Sequence, residues 1–284
     1  MEATSVKKPF FISYILIGIN VLLFVLMVFY QPGFSTDMTV NTLIDFGAKS
    51  NMHIVDGEYY RLVSSMFLHA SLMHIVFNCL ALRAFGRDIE IFFGKKKFLI
   101  VYFLSGIIGS LGSFLFSYRV GVGASGAIFG LLGANLYLLT LNPKLYKRIY
   151  GTDVLSLIGI NLVIGFIVPN IDNAAHLAGL VGGYLAAWSV GLKNQSPFKA
   201  KHMIAQAVVV VLIAFSLVWG VPHFKSSWVY DFYKADEMIE QLNYKRALEY
   251  YESGLEKDPG NESLEYNIRV LKDAIERNEG SKNQ

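Results

Sequence analysis

Long apolar runs separated by short polar connections fill the first 220 or so residues, and the chain turns polar from about residue 225 onward. A helix needs about 20 mostly apolar residues, in a range of roughly 17–25, to cross the hydrocarbon core of a bilayer. Seven stretches have that length: 10–30, 68–84, 98–117, 124–141, 149–168, 174–192 and 203–221. Pro32, Asn142-Pro143, Pro169 and Pro222 each fall just past one of them, where a helix is expected to stop. The pattern predicts an all-α polytopic membrane protein. Residues 10–30 outrun the apolar region of a secretory signal, about 7–15 residues, and end without a small-x-small cleavage site, so they read as a retained first helix.

Charge sets the orientation, because cytoplasmic connections carry an excess of Lys and Arg. With the N-terminus inside, the inner connections hold Lys7, Lys8, Arg83, Arg87, Lys95, Lys96, Lys97, Lys144, Lys147, Arg148, Lys193, Lys199 and Lys201, and the outer ones only Lys49, Arg61 and Arg119. Thirteen against three places residues 1–9 and the linker 193–202 in the cytoplasm, and the segment after the seventh stretch outside. The first outer connection, 31–61, is long and mixes acids with Leu43, Ile44 and Phe46, as a segment lying partly along the membrane surface would.

Residues 225–284 form a separate soluble tail with nine Lys/Arg and thirteen Asp/Glu. Ala235, Ala247, Tyr251, Gly254 and Pro259 fall at the spacings of a tetratricopeptide helix pair, followed by a further helix over 261–277. A single repeat cannot bury its own apolar face, so the tail is expected to dock on the membrane domain, a second copy or a protein partner. A plain charged helical hairpin fits the same residues.

Composition narrows the chemistry. With 54% hydrophobic and 17% charged residues the chain is too apolar for an ordinary soluble domain, where about a quarter of residues are charged. No basic stripe interleaved with aromatics points to nucleic acid. The single cysteine, Cys79, excludes an internal disulfide framework. The stretches hold almost no acids, which argues against a membrane aspartyl dyad. No His-Glu-x-x-His is present to grip zinc, and no metal ligand set is expected.

Ionisable and polar residues within membrane stretches are functional candidates, because burying them in lipid is costly. They are few: His69, His74 and Asn78 on the second stretch, Ser125 on the fourth and His176 on the sixth. The even-numbered stretches run from outside to inside, so Ser125 and His176 lie near the outer ends of theirs. His74 lies about 9 Å below the start of its own at ~1.5 Å per residue. Ser125 sits in Gly123-Ala124-Ser125-Gly126, where glycines permit a tight turn into a helix N-terminus whose unpaired N–H groups favour negative charge. Gly179 and Gly183, after His176, match Gly126, Gly130 and Ala134 as small faces that allow close helix approach. Packing the two faces together brings Ser125 to His176. His74 and Asn78, four apart, share a helix face and both can donate hydrogen bonds to a developing oxyanion, although a polar clamp between helices would use the same pair.

These residues resemble the rhomboid family. The resemblance lies in Gly123-Ala124-Ser125-Gly126, His176-x-x-Gly179-x-x-x-Gly183 and His74-x-x-x-Asn78, in that family's order and on its second, fourth and sixth spans, over roughly residues 10–192. It implies a six-helix catalytic domain over 10–192, with Ser125 as nucleophile, His176 as general base without an acidic third member, and His74 and Asn78 at the oxyanion. It implies cleavage of transmembrane protein substrates near the outer face of the cell membrane, without a cofactor. The seventh helix, 203–221, and the tail, 225–284, resemble one bacterial subgroup. Two positions depart: Tyr60-Arg61 stands where Trp-Arg is common, and Phe129 stands one turn after the serine where Tyr is common, able to stack on His176 but lacking the hydroxyl. Two other readings remain open at this stage. A catalytically silent relative would act as a membrane adaptor or quality-control factor, but such relatives usually lack the Ser or the His. A transporter would want repeats or broken helices at mid-membrane, which are not evident.

Overall fold

The computed structural model describes residues 12–168 and 171–282, with 278–282 described by backbone alone. Lys7, Lys8, the first residues of the 10–30 stretch and Pro169 lie outside the described residues. Helices in chain order are α1 (Ile12–Tyr30), α2 (Val40–Asp45), α3 (Asn51–Val55), α4 (Arg61–Ser64), α5 (Leu72–Phe93), α6 (Lys95–Phe116), α7 (Ser125–Leu141), α8 (Pro143–Tyr150), α9 (Asp153–Ile167), α10 (Asn173–Val190), α11 (Ala200–Lys225), α12 (Trp228–Glu240), α13 (Tyr244–Lys257) and α14 (Glu262–Lys282). The described residues contain no β-strand, only an isolated antiparallel bridge between Lys49 and Gly121. The chain is an all-α polytopic membrane protein.

The seven apolar stretches overlap α1, α5, α6, α7, α9, α10 and α11. Of the described helices, α1, α6 and α11 are long and apolar enough to cross a membrane on their own. Two further bent pairs qualify only if each is taken as one span: the α4 region with α5, bent by 93°, and α8 with α9, bent by 75°.

Several boundaries differ from the sequence expectation. The second helix starts at Leu72 rather than Leu68, because the Ser71 hydroxyl caps it by accepting the His74 N–H at 3.2 Å. His69 therefore lies in the connection, and His74 is about 3 Å, not 9 Å, below its helix start. At its other end α5 runs on to Phe93, carrying Arg83, Arg87, Asp88 and Glu90 within it. Ile149 and Tyr150 belong to α8, cut from α9 by Gly151 at φ +56°. Pro222 lies inside α11 instead of ending it. Only about one turn follows it, and the Ser226 N–H closes that turn on Pro222 O and His223 O.

The core of the membrane domain is α6, α7 and α10. On α10, a Cβ added to Gly179 or Gly183 would strike the main chain of Gly126 or Gly130 on α7. Helix α6 joins the same contact: a Cβ on Gly109 would lie 3.0 Å from Ala175 O and 3.3 Å from Gly126 Cα. Small residues let three backbones touch where lipid supplies no hydrophobic drive for association. Helix α1 packs on α5, where the buried Glu90 carboxylate accepts the first described N–H groups of α1, Ile12 at 2.9 Å and Ser13 at 3.3 Å. It supplies both an acceptor and the negative charge that a helix N-terminus favours.

The connection 31–61 is folded, with α2 and α3 in it and α4 beginning at its end. Leu43, Ala48, Ile54, Val55 and Leu62 are buried. Arg61, 5% exposed, fastens it by donating to Ile44 O at 2.8 Å, Ala48 O at 3.1 Å and the Glu58 carboxylate at 2.7 Å. The tail packs α12–α14 around Ala235, Met238, Ala247, Tyr251, Leu264, Ile268 and Leu271. It rests on the membrane domain through Val229, Trp228 and Tyr230, which join a cluster with Ile54, Val55, Phe114 and Phe224. Lys234 adds an ion pair to Asp56 at 3.9 Å.

Candidate active site

Ser125 is the first residue of α7 and follows a loop held from two sides. The Gly123 N–H donates to Ser65 O at 2.9 Å, and Gly121 pairs with Lys49. Gly123 has φ +121°, a conformation side-chain-bearing residues rarely adopt, and a Cβ there would also stand 2.8 Å from His74 Nε2. Both the backbone and the space in front of His74 require glycine at this position.

His176, the fourth residue of α10, places Nε2 3.0 Å from Ser125 Oγ. That is hydrogen-bonding distance between groups 51 residues apart in sequence, set by the contact of Gly179, one turn beyond His176, with Gly126, the residue after Ser125. For the imidazole to accept the hydroxyl proton, Nδ1 must carry the ring hydrogen, and Nδ1 has no hydrogen-bond partner among the described residues. Orientation comes from stacking instead: the Phe129 ring lies parallel to the imidazole, centroids 4.2 Å apart and planes at 12°. The hydroxyl missing at Phe129 leaves this contact unaffected.

Asp172 holds the start of α10. Its carboxylate accepts the Ala175 N–H at 3.0 Å and the hydroxyl of Ser113 on α6. The carboxylate bonds these groups and not the His176 ring; His176 meets Asp172 through the main chain, its N–H donating to Asp172 O at 3.1 Å, so the pair has no directly bonded acid among the described residues. Asp172 falls between two apolar stretches, so the pattern of polar residues within them does not point to it. Its signal was available in the position four residues before His176, where Asp is a preferred cap.

His74 faces the same loop. Its Nδ1 accepts the Ala70 N–H at 3.4 Å, which leaves the ring hydrogen of a neutral imidazole on Nε2, toward Gly123. His69, fully buried, packs edge-on behind it at 5.1 Å. Asn78 is buried one turn below. Its Nδ2 donates to His74 O at 2.8 Å and its Oδ1 has no partner among the described residues. The amide is thus turned onto its own helix rather than bonded to Ser125 or His176. Ser125, His176 and His74 are all half-buried, neither sealed in the bundle nor on open surface. A groove of about 790 Å³ lies elsewhere, between α1 and α5, lined by residues such as Phe24, Ile75, Cys79 and Arg83.

Comparison with known proteins identifies the family. Residues 56–193 match the Rhomboid domain. Rhomboid protease GluP of Bacillus subtilis is 34% identical over an alignment covering 93% of this chain and 58% of GluP. Rhomboid protease AarA of Providencia stuartii is 33% identical, covering 58% of this chain and 68% of AarA. RHOMBOID-like protein 5 of Arabidopsis thaliana is 37% identical, covering 55% of this chain and 52% of that protein. This chain thus spans 58% of the length of GluP and about half of the plant protein. With a family domain matched across all the residues of the site, and a relative of which it covers more than two thirds, the chain belongs to the rhomboid family.

Proposed function

We propose that this chain is an intramembrane serine endopeptidase that cuts peptide bonds in or near the transmembrane segments of membrane proteins. The observation that carries the proposal is the 3.0 Å separation of Ser125 Oγ and His176 Nε2, at the ends of two helices whose backbones touch. It is supported by similarity to two proteins named as rhomboid proteases, GluP and AarA.

In the proposed reaction, His176 Nε2 takes the Ser125 proton as Oγ attacks the scissile carbonyl. The Ser125 N–H at the helix start and His74 Nε2–H meet the charge on the carbonyl oxygen. Asn78 joins them if its amide rotates off His74 O. The tetrahedral intermediate collapses, the C–N bond breaks, and the leaving amine takes the proton from His176. Water, deprotonated by the same imidazole, hydrolyses the acyl-enzyme and regenerates Ser125. A substrate helix must unwind locally to offer its carbonyl, which favours segments with helix-weakening residues and a small side chain before the cut.

The proposal extends to the organisation of the chain. Residues 10–192 form the six-helix catalytic domain, 203–221 a seventh span, and 225–284 an extracytoplasmic tetratricopeptide-like tail that recruits a partner or a second copy, as in a bacterial subgroup of the family. The excess of Lys and Arg in the inner connections supports a cytoplasmic N-terminus. Replacing Ser125 with Ala is expected to abolish both cleavage of a single-span substrate in proteoliposomes and labelling by a fluorophosphonate, with expression and melting temperature unchanged. Cleavage that survives the replacement refutes the assignment.

A further inference from the structure

Lys49, between α2 and α3, is 1% exposed. Its ammonium donates to Ser117 O at 3.0 Å and Arg119 O at 2.9 Å, and its main chain pairs in both directions with Gly121 at 2.9 Å. No carboxylate lies within ion-pair distance of it among the described residues. A buried ammonium without an ion-pair partner is among the costliest groups a fold can hold, and an apolar side chain of similar length would fill the same space. Its presence calls for a role that only a charge can perform.

Both ends of the catalytic pair converge on this residue. The segment 117–121 leads directly into Gly123 and Ser125, and the ammonium gathers two of its carbonyls into one fixed bend. On the other side stands Asp172, whose charge acts on Lys49 and whose carboxylate caps the helix bearing His176. Ser113, bonded to that carboxylate, lies one turn before Ser117 on α6. We propose that Lys49 is a positioning residue for the Ser125–His176 pair, its ammonium fixing the loop that delivers Ser125 against the capped start of the helix that carries His176. The inference rests on the proposed reading of that pair.

Burial pushes Lys49 down to about 8 from its ordinary 10.5, with the Asp172 charge acting in the opposite sense. Asp172 is the ionisable group that acts on it. The contacts on 117–121 are carbonyls, and Arg119, the charged residue there, reaches Lys49 through its main chain. As pH rises through about 8 the side chain loses its charge and one donor, and its hold on the loop weakens. Stability moves the other way. The folded value lies below the unfolded one, so the unfolded chain binds more protons between the two and stability rises over that interval. Activity and stability are therefore expected to diverge above pH 8.

The test is the second-order rate constant for fluorophosphonate labelling of Ser125 in the full-length protein, from neutral pH through the Lys49 transition, alongside its melting temperature. The intact protein should label more slowly at the alkaline end without melting earlier. Lys49→Met should label about tenfold or more slowly at neutral pH and show no further alkaline fall, at a temperature well below its own melting temperature, which the unpaired carbonyls should lower only modestly. Labelling of Lys49→Met within twofold of the intact rate, a fall that merely follows a lowered melting temperature, or a flat profile for the intact protein overturns the proposal. Ser125→Ala separates the two readings. Labelling that survives it defeats the catalytic assignment, whereas labelling confined to Ser125 but indifferent to Lys49 defeats this inference alone.

Discussion

Replacing Gly179 with Ala tests the contact on which the site geometry depends. Gly179 lies one turn beyond His176, against the residue that follows Ser125. An added Cβ would stand 2.9 Å from the Gly126 carbonyl carbon, 3.2 Å from its Cα and closer still to its oxygen, whereas ordinary contact begins at 3.4 Å. The obstacle is main chain in the first turn of α7, which cannot swing aside as a flexible side-chain tip can. Relieving it requires the helices to part by roughly 1 Å, because interiors packed to this density yield by moving whole elements. A 3.0 Å hydrogen bond between Ser125 and His176 would then open to ~4 Å, beyond hydrogen-bonding range. Overpacking of this kind costs about 1–3 kcal/mol of stability, and a ~1 Å error at reacting groups costs on the order of 10²-fold in rate. The assay is the cleavage rate of a single-span substrate in proteoliposomes, with melting followed in parallel. About a hundredfold loss of rate with a modest fall in melting temperature is expected. Cleavage within twofold of the intact protein, at an unchanged melting temperature, would show that the helices have room to spare and that the glycine contact does not set the distance.

Two further outcomes follow from the same geometry. His74→Ala removes the proposed oxyanion donor and should lower kcat by about 10²- to 10³-fold, with little change in KM or in melting temperature; an unaltered kcat would return His74 to a purely structural role. Arg61→Lys keeps the charge but loses the planar fork that reaches Ile44 O, Ala48 O and Glu58 together. It should destabilise the protein by about 1–3 kcal/mol through carbonyls left unpaired, and a melting temperature equal to that of the intact chain would contradict this.

The juxtaposition of Ser125 and His176 was legible in the sequence for a physical reason. A hydroxyl and an imidazole in otherwise apolar stretches are conspicuous, and glycines at four-residue spacing on both helices show how they can meet. The contribution of α6 was less visible, although Gly106, Gly109 and Gly112 recur every three residues, because glycines without a nearby polar group read as ordinary packing. Lys49 appeared as one of three outer basic residues, since nothing local distinguishes a lysine that turns inward onto carbonyls some 68 and 70 residues later. Helix ends were read imperfectly for a related reason. Apolar length marks where lipid begins, whereas Ser71 and Gly151 mark where the backbone turns, and the two do not coincide. Pro222 misled because its fixed φ is itself helical, so the chain can run on past it for a last turn at the loss of its own N–H bond.

The bond between Glu90 and the start of α1 bears on how the protein is made. The acceptor for the Ile12 and Ser13 amides is encoded 78 and 77 residues downstream, so this bond can close only after α5 has been synthesised. Until then water must satisfy those amides, and the α1–α5 contact stays incomplete at that end.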